Sequence, residues 1–363
     1  MDERIYQIGL TLLPKVGAIT IKNLISYCGS PQAVFKAKKK ELLAIPRIGQ
    51  QLASYILQSG VLNLAEKELL FMEQNHIRHS FYLDKDFPAR LKPYHDSPAI
   101  LYYKGNADFN PKRTISIVGT RKPTPQGILL CEEIVEGLKA YDVTIISGLA
   151  YGIDITAHKK CIQQKIPTIG SVAHGLGHIY PAKHKSIAEE MLENGGLISE
   201  YPSKAIPDRE RFPMRNRIIA GMADALIVVE SARKGGSMIT AKFAENYNKD
   251  IFAVPGRVKD KQAAGCNWLI KTHQAALLES AKDIGYIMGW INQKKGGIQQ
   301  KLFVEYSPSE KIVVDLLSPS EPIGIDQLTY QSQMTNSEMS SLLLNLEFKG
   351  AVKSIPGNRY LLI

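Results

Sequence analysis

Apolar residues change their spacing twice along this chain. Over residues 1–75 they recur at intervals of three and four, the period of helices with one buried face. Two similar turns interrupt that stretch, LPKVGAITIKNLI around Gly17 and LLAIPRIGQQLASYI around Gly49; in each an apolar residue and a glycine precede a helix. Such a helix-hairpin-helix pattern either presents backbone N–H groups to a nucleic-acid phosphate or simply turns the chain within a small bundle. From Thr114 to Ser280 the pattern becomes short β-rich runs, RTISIVG, VTIISG, IPTIGSVA, GLISEY, DALIVVE and DIFAVPG, separated by helical segments such as 126–140 and 186–193. Runs apolar on both faces that alternate with helices predict a parallel sheet covered on two sides. The expected fold is α/β, an extended Rossmann-like doubly wound sheet whose ligands bind beyond the carboxyl ends of its strands.

After Gly289 the polar stretch NQKKGGIQQK predicts a linker. Helices at 310–317, 325–331 and 336–348, then a hairpin turning at Pro356, Gly357 and Asn358, predict a winged-helix module. Its third helix, in TNSEMSSLLLNLEFKG, carries two glutamates and one lysine where a DNA-reading helix would be basic, which fits a protein-contact or structural role at least as well. The expected plan is a helical helix-hairpin-helix or SAM-like module over 1–80, a Rossmann-like domain over 81–290, a linker over 291–305 and a winged-helix-like domain over 306–363.

Charge and cysteine content narrow the partners. The net charge of +10 favours a polyanion without requiring one. The four cysteines are scattered, with no CxxC pair or metal spacing, as expected of reduced thiols in a cytosolic protein. MDERIYQIGL has no apolar signal core and no run reaches membrane-spanning length, so a cytoplasmic protein with no membrane partner is expected.

The chemistry gathers at the predicted strand ends. Gly119, Thr120 and Arg121 follow the first run, Ser147 and Gly148 the second, and Gly235, Gly236 and Ser237 open a helix after the fifth. Between them, RERFPMRNRIIAG brings Arg209, Arg211, Arg215 and Arg217 together with Phe212 and Asn216 where a helix begins. Guanidinium groups beside unpaired helix N–H groups hold phosphates, and an aromatic ring offers a base a stacking surface. No G-x-G-x-x-G follows the first strand and no G-x-x-x-x-G-K-[ST] occurs, so neither a dinucleotide cofactor nor P-loop hydrolysis is expected. His174, His178 and His184 lie close in sequence but lack an evident carboxylate or thiolate partner for a metal. No serine, cysteine or paired-carboxylate catalytic set stands out.

The ordered motifs IVGTRKPTPQG, SGLAYGIDITAH, IYPAKH, LISEYP, FPMRNRIIAG, DALIVVES, GGSMITA, FAVPG and GCNWLI resemble those of the DprA/Smf family, DNA-processing proteins of natural transformation. The resemblance implies a homodimeric protein without catalytic turnover that binds single-stranded DNA and helps load the RecA recombinase. It also implies that the strand lies over Gly119–Arg121, Ser147 and Gly148, Phe212 with Arg215–Arg217, and Gly235–Ser237. Arg121 and Arg217 are then expected to converge on one strand, unless one of them pairs with Glu200 or Glu230, and the flanking modules are expected to be dispensable for binding. The chain departs from the family at Gly177, usually acidic, at Gly235–Ser237, commonly Ser-Gly-Ser, and at Lys271–His273, usually Arg-Asp-Gly. Two alternatives use the same fold: a sensor of small nucleotide-derived ligands, and a LOG-like nucleoside-monophosphate phosphoribohydrolase. The second would need a glutamate where GGSMITAK has Lys242, and a lysine cannot stabilise a ribosyl cation.

Overall fold

The helices that open the chain are α1 (Glu3–Leu12), α2 (Ala18–Cys28), α3 (Pro31–Lys36), α4 (Lys39–Leu43), α5 (Gln50–Gln58) and α6 (Val61–Gln74). Local signals set their ends. Asp2 accepts the Arg4 N–H ahead of α1, and Ser30 caps α3 with Pro31 in its first turn. Lys15 and Arg47 take positive φ, 61° and 68°, at equivalent places in the two glycine turns, so the sequence repeat is also a backbone repeat. Ile8, Leu10, Leu24 and Leu42 on the inner faces share a core with Ile100, Tyr102, Val172, Leu176 and Leu197 of the region that follows. This computed structural model describes residues 2–58, 60–290, 306–318, 321–355 and 357–362. The residues expected to form the linker, 291–305, lie outside that set.

The main sheet holds β1 (Arg78–Phe81), β2 (Ile100–Gly105), β3 (Thr114–Val118), β4 (Thr144–Ser147), β5 (Thr168–Ser171), β6 (Gly195–Ser199), β7 (Ala225–Val228), β8 (Asp250–Ala253) and β9 (Ala276–Leu277). Their order is β1-β2-β6-β5-β4-β3-β7-β8-β9. From β6 across to β9 every pairing is parallel, with Ile115 opposite Ala225 and Val118 opposite Val228 at the β3–β7 seam. β1 and β2 add an antiparallel edge, which makes the sheet mixed. That edge lies upstream of Thr114, where the sequence pattern first announces strands. RHSF is too short and polar to stand out and gains its place by pairing with the largely buried ILYYKG.

Between the strands lie α7 (Pro125–Leu138), α8 (Ile153–Gln164), α9 (Lys185–Glu190), α10 (Arg211–Met222), α11 (Gly236–Asn246) and α12 (Ala264–Lys271), and α13 (Ala281–Ile287) follows β9. β3 is buried along its length, the physical reason its run is apolar without alternation. Ile115 and Ile117 pack with Ile134 and Val135 of α7, Ile153 of α8 and Ile284 of α13. On the other face Val118 joins Ile218 and Ile219 of α10 and Ala241 and Ala244 of α11. The chain winds outward from β3 in both directions, so the loops after β3 and β7 part and open a crevice between them. All of this forms one compact unit, Met1–Ile291.

The second unit, Asn292–Ile363, contains α14 (Pro308–Leu316), α15 (Ile325–Ser332) and α16 (Asn336–Phe348) around Val313, Leu328, Met339, Leu343 and Leu346. β10 (Ile323–Gly324), β11 (Val352–Ile355) and β12 (Arg359–Leu362) form a small sheet with β12 in the middle. Capping boxes at Ser307/Glu310 and Thr335/Glu338 fix the starts of α14 and α16. Among the described residues no helix is long and apolar enough to cross a membrane.

Candidate nucleic-acid interface

The loops after β3, β4, β5 and β7, with the starts of α10 and α11, enclose a cleft of about 850 Å³. Gly119, Thr120 and Arg121 line it after β3, Phe212, Arg215 and Asn216 line it from α10, and Gly235, Gly236 and Ser237 line it at α11. Gly152, at φ 81°, lets the turn before α8 pass against the backbone of Thr120 and Arg121, a left-handed conformation that a side chain would resist. Ile153 N–H donates to Thr120 O at 3.2 Å across that contact. Glu230 braces the same loop from β7: its carbonyl accepts the Thr120 N–H at 2.7 Å and its buried carboxylate accepts the Thr124 N–H at 3.0 Å.

This bracing leaves Arg121 exposed, with its guanidinium 5.6 Å from the centre of the Phe212 ring. Phe212 in turn lies 6.2 Å from the ring of Tyr180, another cleft residue. A cation and two aromatic rings therefore run in a row along one wall, a combination that holds phosphate and stacks bases. α11 begins at Gly236 with no side-chain cap, and Gly235, Gly236 and Ser237 line the same cleft, so no capping side chain competes for the first N–H groups of the helix. Ser237 is buried and donates to Ser231 Oγ at 2.7 Å, closing this turn.

The floor of the cleft is ionic. Burial lifts the Asp154 carboxyl to about 6, against the pull of Arg215, the Ala150 N–H, Arg121 and Ser147. Burial likewise lowers Arg215 to about 10, and its guanidinium donates to the Ser171 carbonyl. His158, buried beneath them, is lowered to about 4 by desolvation and sits with Nε2 2.6 Å from Gly148 O, so it is neutral near pH 7. His174 and His178 stack with ring centres 4.8 Å apart, and His174 Nδ1 lies 2.8 Å from Gly175 O. Among the described residues no three His, Cys, Asp or Glu side chains are grouped to hold a metal ion.

Four residues singled out from the sequence are turned elsewhere. Arg217 is buried in an ion pair with Glu200 and does not line the cleft with Arg121. α10 already begins at Arg211, so Arg217 falls well inside the helix, where every residue from 217 to 222 is buried. Arg211 lies over the Tyr201 ring at 4.6 Å and donates to Ile206 O at 3.0 Å, outside the cleft. Ser147 is fully buried and its hydroxyl donates to Ile117 O, while Gly148 forms a close-packed support beneath Asp154 and Arg215. Conversely, the sequence pattern did not single out Tyr180 or Tyr151 and reads Asp154 only as a helix cap; Asp154 lies instead in the first turn of α8, and all three line the cleft. IYPAKH and SGLAYGID contain them, but their convergence depends on separate loops meeting in space.

A family model described as DNA recombination-mediator protein A matches residues 78–288, and one described as DprA winged helix domain matches residues 304–358. The chain is 29% identical to Protein Smf of Synechocystis, covering 99% of this chain and 98% of that protein. It is similar to the X-ray structure of DNA processing protein A from Streptococcus pneumoniae, with a TM-score of 0.68 and 28% identity over 78% of this chain and 97% of the other. It is also similar to the Helicobacter pylori DNA processing protein A, whose structure describes a single-stranded DNA binding mode, with a TM-score of 0.53 and 28% identity over 59% and 96% of the two chains.

Proposed function

The chain belongs to the DprA/Smf family of DNA-processing proteins, and from that premise we propose that its cleft binds single-stranded DNA during recombination or natural transformation. The observation that carries this is the Arg121–Phe212–Tyr180 row lining one cleft with the uncapped start of α11. Arg121 neutralises phosphate, the rings stack on bases, and the α11 N–H groups hold a second anion. Phosphate and stacking contacts carry little base information, so sequence preference is small. The Helicobacter relative's single-stranded DNA binding supports the same role here.

In this proposal the main sheet serves as an extended Rossmann-like platform, the opening helices as a helix-hairpin-helix or SAM-like module, and the last unit as a winged helix. The protein works in the cytoplasm as a homodimer, hands its strand to RecA and catalyses no reaction. Position 242 supports a binder over a phosphoribohydrolase, because Lys242 is exposed and paired with Glu245 at 2.7 Å, leaving that position without a catalytic carboxylate.

A length series of oligo-dT, with a blunt duplex control and two salt concentrations, tests this function. Single strands are expected to bind more tightly than duplex, with affinity growing over several linked nucleotides and falling steeply with salt. Saturation by a mononucleotide at the same affinity would instead identify a small-ligand sensor.

The ionic floor adds a pH dependence. A phosphate beside Arg121 and Arg215 brings negative charge towards Asp154 and raises its carboxyl further above about 6. Binding then takes up a proton, and linkage requires affinity to rise as pH falls from 8 through 6. His158, at about 4, stays neutral over that window. Asp154→Asn is expected to flatten the slope in proton-uptake calorimetry; an unchanged slope would assign it to another group.

A further inference from the structure

The cleft wall is supported from outside the sheet. Glu68 on α6 is 8% exposed, and its carboxylate accepts the Ser203 N–H at 2.6 Å. Ser203 belongs to a tight turn in which Ala205 N–H donates to Pro202 O at 2.9 Å. The chain of residues 174–180, which carries His174 and Tyr180 into the cleft, lies flat on that turn. Gly175 N–H donates to Ala205 O at 2.8 Å and Gly177 N–H to Ser203 O at 2.9 Å. The approach is close enough that a Cβ at Gly177 would stand 2.7 Å from Ser203 O and 3.3 Å from the Phe71 ring, also on α6. Lys204 covers that ring from the turn, with Nζ 5.7 Å from its centre.

We propose that Glu68 is a positioning residue for the cleft: through the 202–205 turn it fixes the loop that places Tyr180 beside Phe212. The opening helical module is then part of the mounting of the nucleic-acid site rather than a separable appendage. The physical basis is a short series of hydrogen bonds with one buried anchor. Without Glu68 the Ser203 N–H is buried and unpaired, the turn loses its tie to α6, and the aromatic row loses its fixed spacing. This inference rests on the proposed binding of single-stranded DNA at the cleft.

The test compares full-length wild type, Glu68→Ala, Glu68→Gln and Gly177→Ala by oligo-dT affinity, melting temperature and amide hydrogen exchange. Glu68→Ala is expected to weaken binding by about five- to tenfold, the equivalent of losing one ordinary net hydrogen bond, and to speed exchange at Gly175 and Gly177. Glu68→Gln, which retains an oxygen acceptor for the Ser203 N–H, is expected to stay within about twofold of wild type. Gly177→Ala is expected to weaken binding with Glu68 intact, because its Cβ must push the loop off Ser203 O. If Glu68→Ala fails to fold, Gly177→Ala carries the test. Wild-type affinity in a folded Glu68→Ala or Gly177→Ala protein, or equal impairment by Glu68→Ala and Glu68→Gln, overturns the positioning role. Failure of wild type itself to bind oligo-dT counts instead against the proposed function.

Discussion

Arg121→Ala is expected to weaken oligo-dT binding roughly 10- to 100-fold, corresponding to about 1.5–3 kcal/mol for a hydrogen bond to a charged group. The guanidinium is exposed, ends a loop braced by Glu230 and Ile153, and has no carboxylate partner among the described residues. Its charge is therefore available to a phosphate, while its removal takes nothing from the core. The melting temperature should stay within about 1 °C, as for a surface substitution away from packing. The plot of log affinity against log salt should flatten by about 0.7, one phosphate contact on a single strand. Arg121→Lys should recover only part of the affinity, because an ammonium keeps the charge but neither forks around a phosphate nor lies flat on Phe212. Titration at several salt concentrations beside calorimetry decides the matter: unchanged affinity removes Arg121 from the interface.

The opposite result is expected at Arg217. Its side chain is 7% exposed and that of Glu200 14%, so Arg217→Ala strips a buried carboxylate of its counter-charge. Breaking a buried pair in this way costs about 3–5 kcal/mol. At about 2 °C per kcal/mol for a unit of this size, the melting temperature should fall by roughly 6–10 °C. DNA affinity per folded molecule should change little, because Arg217 does not line the cleft. Removing both charges with Arg217→Met and Glu200→Gln should restore much of the lost stability, since neither partner is then left charged and alone. A large affinity loss in Arg217→Ala with an unchanged melting temperature would falsify the bracing role.

Arg121 and Arg217 are 96 positions apart, yet both sit in basic motifs and nothing in their local sequence separates them. Arg121 follows a strand whose last residue is buried and projects from a glycine turn into solvent. Arg217 is placed by where α10 starts, and an Arg-rich segment with one proline leaves that start undefined by several residues. The same limit explains the antiparallel edge. ILYYKG is strand-like by itself, but only the neighbouring β6 gives it a place in the sheet. Glu68 lay outside the sequence expectation for a different reason: a glutamate on an amphipathic helix signals solvent, and only the turn at Ser203 makes its burial favourable.

By itself, the sequence determined the parallel strands, most of the helices, the glycine turns at the strand ends and the concentration of arginine and aromatic residues near them. Those features are local, because burial on both faces of a strand, a cap or a left-handed turn restricts residue type within a few positions. The tertiary structure alone decided which charges reach the cleft and which are consumed inside it. It turned Arg121 outward, paired Arg217 with Glu200, put Asp154 beneath Arg215 and tied the Tyr180 loop to Glu68. Charge is long-ranged and its partners come from segments far apart in the chain, so its role is set by the geometry that joins them rather than by the residues on either side.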